Sequence, residues 1–409
     1  MSAQERLMRY CSIDTQSDPN NEGETPSSQK QFDLARMLVK ELKELGLEDV
    51  ELDEHCYVYG RLPSNLGHPS KTVGFLAHMD TAPDFSGANV KPRIIEGFDG
   101  CDIQLNEEVV LRMDDFPAMR NLKGKTLMVT DGNTLLGADD KAGITCIMEA
   151  LEYLKTNKDT PHGDIAIAFT PDEEIGNGPK YFNVEKFNAD FAYTMDGGTV
   201  SELSSETFNA ASAEVEFNGF TIHPGSAKGK MINAASVACE FNSLLPRHMR
   251  PEHTEGRDGF IHLISMRGAC EHALLSYILR DHDAGLLEKK KEILKNAASY
   301  LNSVYGEGTI KVDIRDSYRN MKEVIDANPE CIVIATQAMK RLGITPLCEP
   351  VRGGTDGARL SFMGLPCPNL GNGGGNFHGR YEYCVMEELE MARDVILNIV
   401  DLIAKEVQS

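Results

Sequence analysis

Nowhere does the sequence run to about 18 consecutive apolar residues, the length a helix needs to cross a hydrocarbon layer, so a helical membrane span is excluded. Basic charge is also scarce: 41 Lys and Arg stand against 63 Asp and Glu, a formal net charge of -22. A field of that sign repels phosphate backbones and anionic lipid surfaces, which removes nucleic acid and membrane from the expected partners. The one basic run, Lys289–Lys291 in LLEKKKEIL, is expected to be a solvated helix face. The 10 cysteines include no C-x-x-C pair, so neither a thiolate zinc site nor a redox dithiol is encoded. They read as free thiols, mostly buried, in a reducing compartment. The opening residues MSAQERLMRYCSIDTQS lack the continuous apolar core of a secretory signal, and the expected location is the cytoplasm.

At 409 residues, 41% hydrophobic and 25% charged, the chain has the balance of a globular protein and the length for two domains. Phe32, Ala35, Leu38, Val39, Leu42 and Leu45 form a 3.6-residue stripe closed by Gly46, which predicts a helix over Gln29–Gly46. Strands are expected at Glu51–Tyr59, Thr72–Ala77, Thr126–Val129, Asp164–Phe169 and Phe191–Thr194, with a helix at Ala142–Lys155. Alternating strands and helices of this kind indicate an α/β domain.

The pattern changes near Asn209. A strand with Ala211, Ala213, Val215 and Phe217 on one face precedes a helix at Asn233–Leu245, strands at Phe260–Met266 and Ala273–Leu279, a helix at Ala284–Val304 and a strand at Thr309–Ile314. The order β-α-β-β-α-β is that of a ferredoxin-like domain. Helices at Val324–Leu342 and Glu387–Ala404 then flank a glycine-rich stretch, Gly353–Gly379. The expected division is a discontinuous first domain, 1–207 and 318–409, with a second domain, 208–317, inserted.

Side chains converge most readily at the carboxyl ends of strands in an open α/β sheet. His78 and Asp80 follow the buried strand TVGFLA, and residues two apart on an extended segment face the same way. Asp80 can therefore stand behind the imidazole and fix its tautomer. Asp139 and Asp140 precede a helix, where acids also serve as caps. Glu173 and Glu174 follow IAIAFTP, Asp196 follows FAYTM, and His378 lies in GNGGGNFHGRYEY. Each alone has an ordinary reading as cap, turn or loop residue. Together they would repel unless cations neutralised them. Nitrogen and oxygen donors without thiolates suit zinc, with cobalt or manganese as substitutes. Five ligands are too many for one open tetrahedral ion, but two ions sharing a carboxylate would accommodate them around a common hydroxide.

The blocks GFLAHMDTAPD, TLLGADDKAGI, PHGDIAIAFTPDEEIG, FAYTMDGG, HPGSAKGKMINA, PVRGGTDGARLSFMGLPCPNL and FHG run over nearly the whole chain. Through them the sequence resembles the co-catalytic zinc metallopeptidase family that includes peptidase T, carboxypeptidase G-like enzymes, aminoacylases and succinyl-diaminopimelate desuccinylase. The resemblance implies an α/β catalytic domain with a mixed sheet flanked by helices, and an inserted ferredoxin-like lid. It implies two zinc ions, one on His78 and Asp196, the other on Glu174 and His378, with Asp139 bridging. Asp80 would orient His78, Glu173 would be the general base, and the Asp139–Asp140 peptide would be cis. His223 would stabilise the oxyanion of a tetrahedral intermediate, and Arg280 or Arg352 would hold a peptide carboxylate. The implied activity is release of the N-terminal residue from tripeptides by a monomer or homodimer. A dipeptidase, carboxypeptidase or N-acyl-amino-acid deacylase of the same family is the alternative. A non-haem iron oxygenase using His78, Asp80 and His378 would leave Asp139, Glu174 and Asp196 unused and would need a jelly roll.

Overall fold

The apolar run at Thr72–Ala77 forms strand Val73–His78, and every residue in it is buried. A strand covered on both faces belongs in the middle of a sheet between helical layers. It runs parallel to Ile165–Thr170 on one side and to Phe191–Gly197 on the other. Beyond Ile165–Thr170 lie Val58–Leu62 and then Glu48–Leu52, both antiparallel. Beyond Phe191–Gly197 lie Asn369–Gly371, parallel, and Leu203–Ser204, antiparallel, which completes a seven-stranded mixed sheet. A second, antiparallel sheet orders Gly374–Gly375, Tyr383–Val385, Leu127–Val129 and Arg93–Ile95. Helices Gln31–Glu44, Ala138–Thr156, Glu330–Arg341 and Met386–Glu406 each bury an apolar stripe in this part of the chain. The computed structural model describes residues 1–406, and no helix among them is long and apolar enough to cross a membrane.

The α/β class and the order of elements match the sequence reading; two elements do not. Glu51–Tyr59, expected as one strand, is the turn region of a hairpin. Asp53 accepts from the backbone N–H groups of His55 and Tyr57 at 3.0 and 2.8 Å, and Cys56 turns at φ 71°. An aspartate that bonds its own backbone two residues on makes a turn where hydrophobic alternation alone suggests continuity. The helix expected at Val324–Leu342 is two, Lys322–Ala327 and Glu330–Arg341. Pro329 lies between them and has no N–H to continue the first.

The chain divides into two compact units, Met1–Ser205 with Glu323–Glu349 and Thr355–Ser409, and Glu206–Lys322 with Pro350–Gly354. The second unit takes a pentapeptide that the sequence division leaves in the first. Arg352 explains this, since its guanidinium donates to the carbonyls of Gly256 and Asp258 and to Thr254 Oγ1, at 2.7 to 2.9 Å. Its sheet orders Phe260–Gly268, His272–Asp281, Asn209–Asn218 and Ile310–Tyr318, all antiparallel, with Ala234–Leu244 and Ala284–Tyr305 as the helices. The two inner strands are not sequential neighbours, as ferredoxin-like topology requires. Val215, Phe217, Phe241, Leu275, Leu279, Leu294 and Leu301 are among its core residues.

Lys290 and Lys291 are not a solvated face. Both are buried, Lys290 on Asp281 at 2.5 Å and Lys291 on Glu288 and Asp316. They stand three and four residues after buried Leu287, on the same helix stripe, and carboxylates meet them there.

His282 is nearly buried against the Phe208 ring, with centroids 4.2 Å apart. Its Nδ1–H donates to the Thr207 carbonyl at 3.2 Å, which leaves Nε2 buried without a partner. Burial holds its pKa below the ordinary histidine value. The unfolded chain therefore takes up a proton that the fold refuses, and stability present above about pH 6.5 is lost as pH falls below it. Denaturant midpoints measured from pH 8 to pH 5 should fall in this window, and less steeply in His282→Phe; equal slopes would remove His282 from the acid response.

Candidate metal centre

Strand register brings the first candidate ligands level. His78 pairs with Thr170 across the parallel ladder, and Leu76 pairs with Thr194, so Asp196, two residues past Thr194, reaches the level of His78. Glu173 and Glu174 begin one short helical turn, Glu173–Ile175, just after Thr170. Asp139 arrives from the other sheet, in the loop that leads from Leu127–Val129 into helix Ala138–Thr156. The backbone of Asp139 and Asp140 is non-helical inside that assignment, and their shared peptide bond is cis. His378 sits at φ 62° between Gly374–Gly375 and Tyr383–Val385.

The side chains converge on Asp139. His78 Nε2 lies 2.9 Å from Asp139 Oδ1 and 3.7 Å from Asp196 Oδ1. His378 Nε2 lies 3.3 Å from Asp139 Oδ2 and 3.0 Å from Glu174 Oε2. One carboxylate thus presents each oxygen to a different imidazole. Ligand atoms of His78, Asp139 and Glu174 lie within 4.8 Å of one another, and so do those of His78, Glu173 and Asp196. His78 is buried and His378 is the exposed edge of the cluster.

Electrostatics without a cation are awkward. Burial alone would lower the pKa of His78, but hydrogen bonds to Asp139 and Asp80 raise it well above the ordinary value. His378 is raised to about 11 by its bonds to Asp139 and Glu174. Burial pushes Glu174 up to about 7 and raises Glu173 and Asp196 well above the usual carboxylate range. Burial would raise Asp139 too, but His378 and His78 hold it below that range. The cluster must collect protons or cations. Glu174 Oε1 is buried with no hydrogen-bond partner, an atom that a proton network leaves unused and a cation would take up. An all nitrogen and oxygen donor set in this geometry fits divalent zinc, cobalt or manganese.

Around the cluster, buried groups hold the ligand-bearing turns. Asp80 accepts from the backbone N–H groups of Glu173 at 3.0 Å and Glu174 at 3.2 Å through its carboxylate, and His78 Nδ1 lies 3.0 Å from the Asp80 backbone carbonyl and 3.4 Å from Oδ1. Asp140 points away from Asp139: it accepts from the His78 N–H at 3.3 Å, the Gly143 N–H at 3.1 Å and Asn372 Nδ2 at 2.9 Å. Asp172 adopts φ 55°, uncommon for a residue with a side chain. It is held by Ser27 N–H, Ser27 Oγ and Gln31 Nε2 at 2.6 to 2.7 Å. Sequence reasoning missed Asp172, Asn372 and Glu382, single polar residues with no spacing signal of their own.

Three candidate residues lie in the second unit. His223 is exposed and accepts from the Gly225 N–H through Nδ1 at 3.1 Å. Arg280 lies over the Tyr318 ring and donates through one terminal nitrogen to the carbonyls of Ala211 and Leu279. Arg352 commits both terminal nitrogens, as described, and lies over Phe208 and Phe260.

Residues 128–402 match the family model described as Peptidase family M20/M25/M40. A curated relative from Alkaliphilus oremlandii, named Peptidase T, is 52% identical over 405 residues, 98% of this chain and 99% of the relative. Among solved structures, an aminopeptidase PepT from Bacillus cereus aligns with TM-score 0.76 at 24% identity, covering 98% of this chain and 99% of the other. A Bacillus subtilis protein described as a dinuclear metal binding peptidase aligns with TM-score 0.64 at 13% identity, covering 98% and 99%. These two share the fold. The mixed sheet flanked by helices is no jelly roll, so the oxygenase reading falls.

Returning Zn2+ or Co2+ to chelator-stripped protein should raise its Tm. Binding at a hundredfold excess over Kd adds about 2.7 kcal/mol per site. Scanning calorimetry that finds no rise would leave the cluster as bare acids, and Asp139→Ala should remove most of the rise.

Proposed function

The chain belongs to peptidase family M20/M25/M40, and from that footing we propose that it is an aminopeptidase removing the N-terminal residue from tripeptides with two divalent cations, zinc foremost. The observation that carries the two-cation reading is the pair of imidazole nitrogens set on opposite oxygens of Asp139. His78 and Asp196 would hold one cation, Glu174 and His378 the other, and Asp139 both. Bound there, such cations would polarise a peptide carbonyl and acidify a water molecule.

The chain's own residues supply the rest. Glu173 is the general base, taking the proton of the attacking water and delivering it to the leaving amine. Burial raises its pKa above the usual carboxylate range, which makes its ionised form a stronger acceptor for that proton. Asp80 would set both the His78 ring, through its backbone carbonyl and Oδ1, and the turn carrying Glu173, through its carboxylate, so that base and ligand keep a fixed relation. His223 is proposed to donate to the developing oxyanion. Between the two arginines, Arg280 is the better candidate for a peptide carboxylate, because Arg352 has already spent both terminal nitrogens on the protein. Relatives named Peptidase T support release from the amino end over dipeptidase, carboxypeptidase or deacylase activity.

With zinc or cobalt, the protein should release the N-terminal residue from tripeptides and leave N-acetylated tripeptides intact. Equal turnover of N-acyl-amino acids would overturn the aminopeptidase assignment and leave the cation reading standing. Glu173→Gln should lose about 10²- to 10⁴-fold in kcat while binding the same number of cations. Loss of a cation from this variant would make Glu173 a ligand instead, a role its place beside His78 and Asp196 also allows.

A further inference from the structure

Glu382 is buried, 1% exposed, in the segment RYEYC. Its carboxylate accepts three backbone N–H groups from one loop: Leu136 at 2.7 Å and Gly137 at 2.8 Å on Oε2, and Asp139 at 3.0 Å on Oε1. A carboxylate removed from water is costly unless its lone pairs are filled, and here the backbone of the Asp139 loop fills them. Glu382 lies four residues past His378, and its own N–H closes a turn on the Gly379 carbonyl at 3.2 Å. The next residues, Tyr383–Val385, pair with Leu127–Val129, the strand that leads to Asp139. The His378 loop and the Asp139 loop are thus clamped twice, by a short ladder and by one side chain.

We infer that Glu382 is a positioning residue that joins the His378 loop to the Asp139 loop and so sets the ligand spacing before any cation binds. This rests on the two-cation reading above. The alternative is that Glu382 merely stabilises the fold. The chain contains a comparator for that role: Glu387 accepts the Thr126 N–H with both oxygens, at 2.9 and 3.0 Å, near the opposite end of the same strand. It is a carboxylate doing similar backbone work away from the ligand loop.

In Glu382→Gln one acceptor oxygen becomes an NH2 that faces N–H donors. Cation affinity, measured by competition against a chromophoric chelator, should fall about 10- to 100-fold. Activity on a tripeptide should recover at saturating Zn2+ or Co2+ with KM unchanged. Glu387→Gln should keep wild-type affinity. The inference is overturned if Glu382→Gln binds cations as the wild type does, or if Glu387→Gln weakens binding as much. Hydrogen exchange on the wild-type protein tests the same point without a variant. In chelator-stripped protein the amides of Leu136, Gly137 and Asp139 should be protected, and rapid exchange there until cation is added would also overturn it. A wild type that takes up no pair of cations fails the underlying reading instead, before either variant is compared.

Discussion

Four carboxylates, Asp139, Glu173, Glu174 and Asp196, and two imidazoles, His78 and His378, meet in one largely buried cluster, where like charges repel unless protons or cations neutralise them. Folding brings His78, Asp196 and the Glu173–Glu174 turn there because three parallel strands end side by side, while Asp139 and His378 arrive from loops of the second sheet. The resulting excess of negative charge is a cost in the isolated chain and an attraction once divalent cations are available. Much else in the first unit follows from that tension. The strands are buried on both faces, which leaves their carboxyl ends as the place where polar side chains can reach an opening.

Charge of this kind must also be held still, and the chain does so with further buried polar groups. Asp80, Asp140 and Glu382 each accept backbone N–H groups of a segment that carries a candidate ligand, and Asp172, next to Glu173, is anchored by Ser27 and Gln31. A carboxylate accepting N–H groups makes a stronger and more directional bond than a neutral oxygen, so it can fix a turn that hydrophobic packing would leave loose. The glycine-rich stretch, which in sequence suggests a loose loop, is part of the same scaffold. A Cβ on Gly371 would clash with the Thr199 carbonyl, so glycine there lets the turn after Phe191–Gly197 lie close against it. Asn372, the next residue, spans from Asp140 to the Met195 carbonyl.

The fold was legible where one physical signal dominates. Continuous apolar runs gave the central strands, and the 3.6-residue stripe ending at Gly46, which takes φ 74°, gave the helix before it. Local competition was harder to read: Asp53 makes a turn inside an alternating segment, and Pro329 divides what periodicity joins. At Lys290 and Lys291 charge suggests a solvated face, but position on the helix decides. Leu287 and Leu294 already defined the buried stripe on which they lie. The acids and histidines at strand ends were visible together because their contexts repeat. Glu382 was invisible because nothing in its local composition separates a carboxylate that binds backbone from one that faces solvent.

The two acidic doublets show how adjacency produces distinct roles. Adjacent side chains diverge both on the non-helical backbone of Asp139–Asp140 and in the single helical turn Glu173–Ile175, so a doublet offers two directions from one place. At Asp139–Asp140 one carboxylate faces the imidazoles, and the other turns back to the His78 N–H, Gly143 and Asn372. At Glu173–Glu174 the second side chain meets His378, while the first lies beside His78 and Asp196. Two like charges side by side look redundant in a sequence. Their value here lies in the separation of their directions, since each doublet meets two sets of partners from one place in the chain, which a single acid could not.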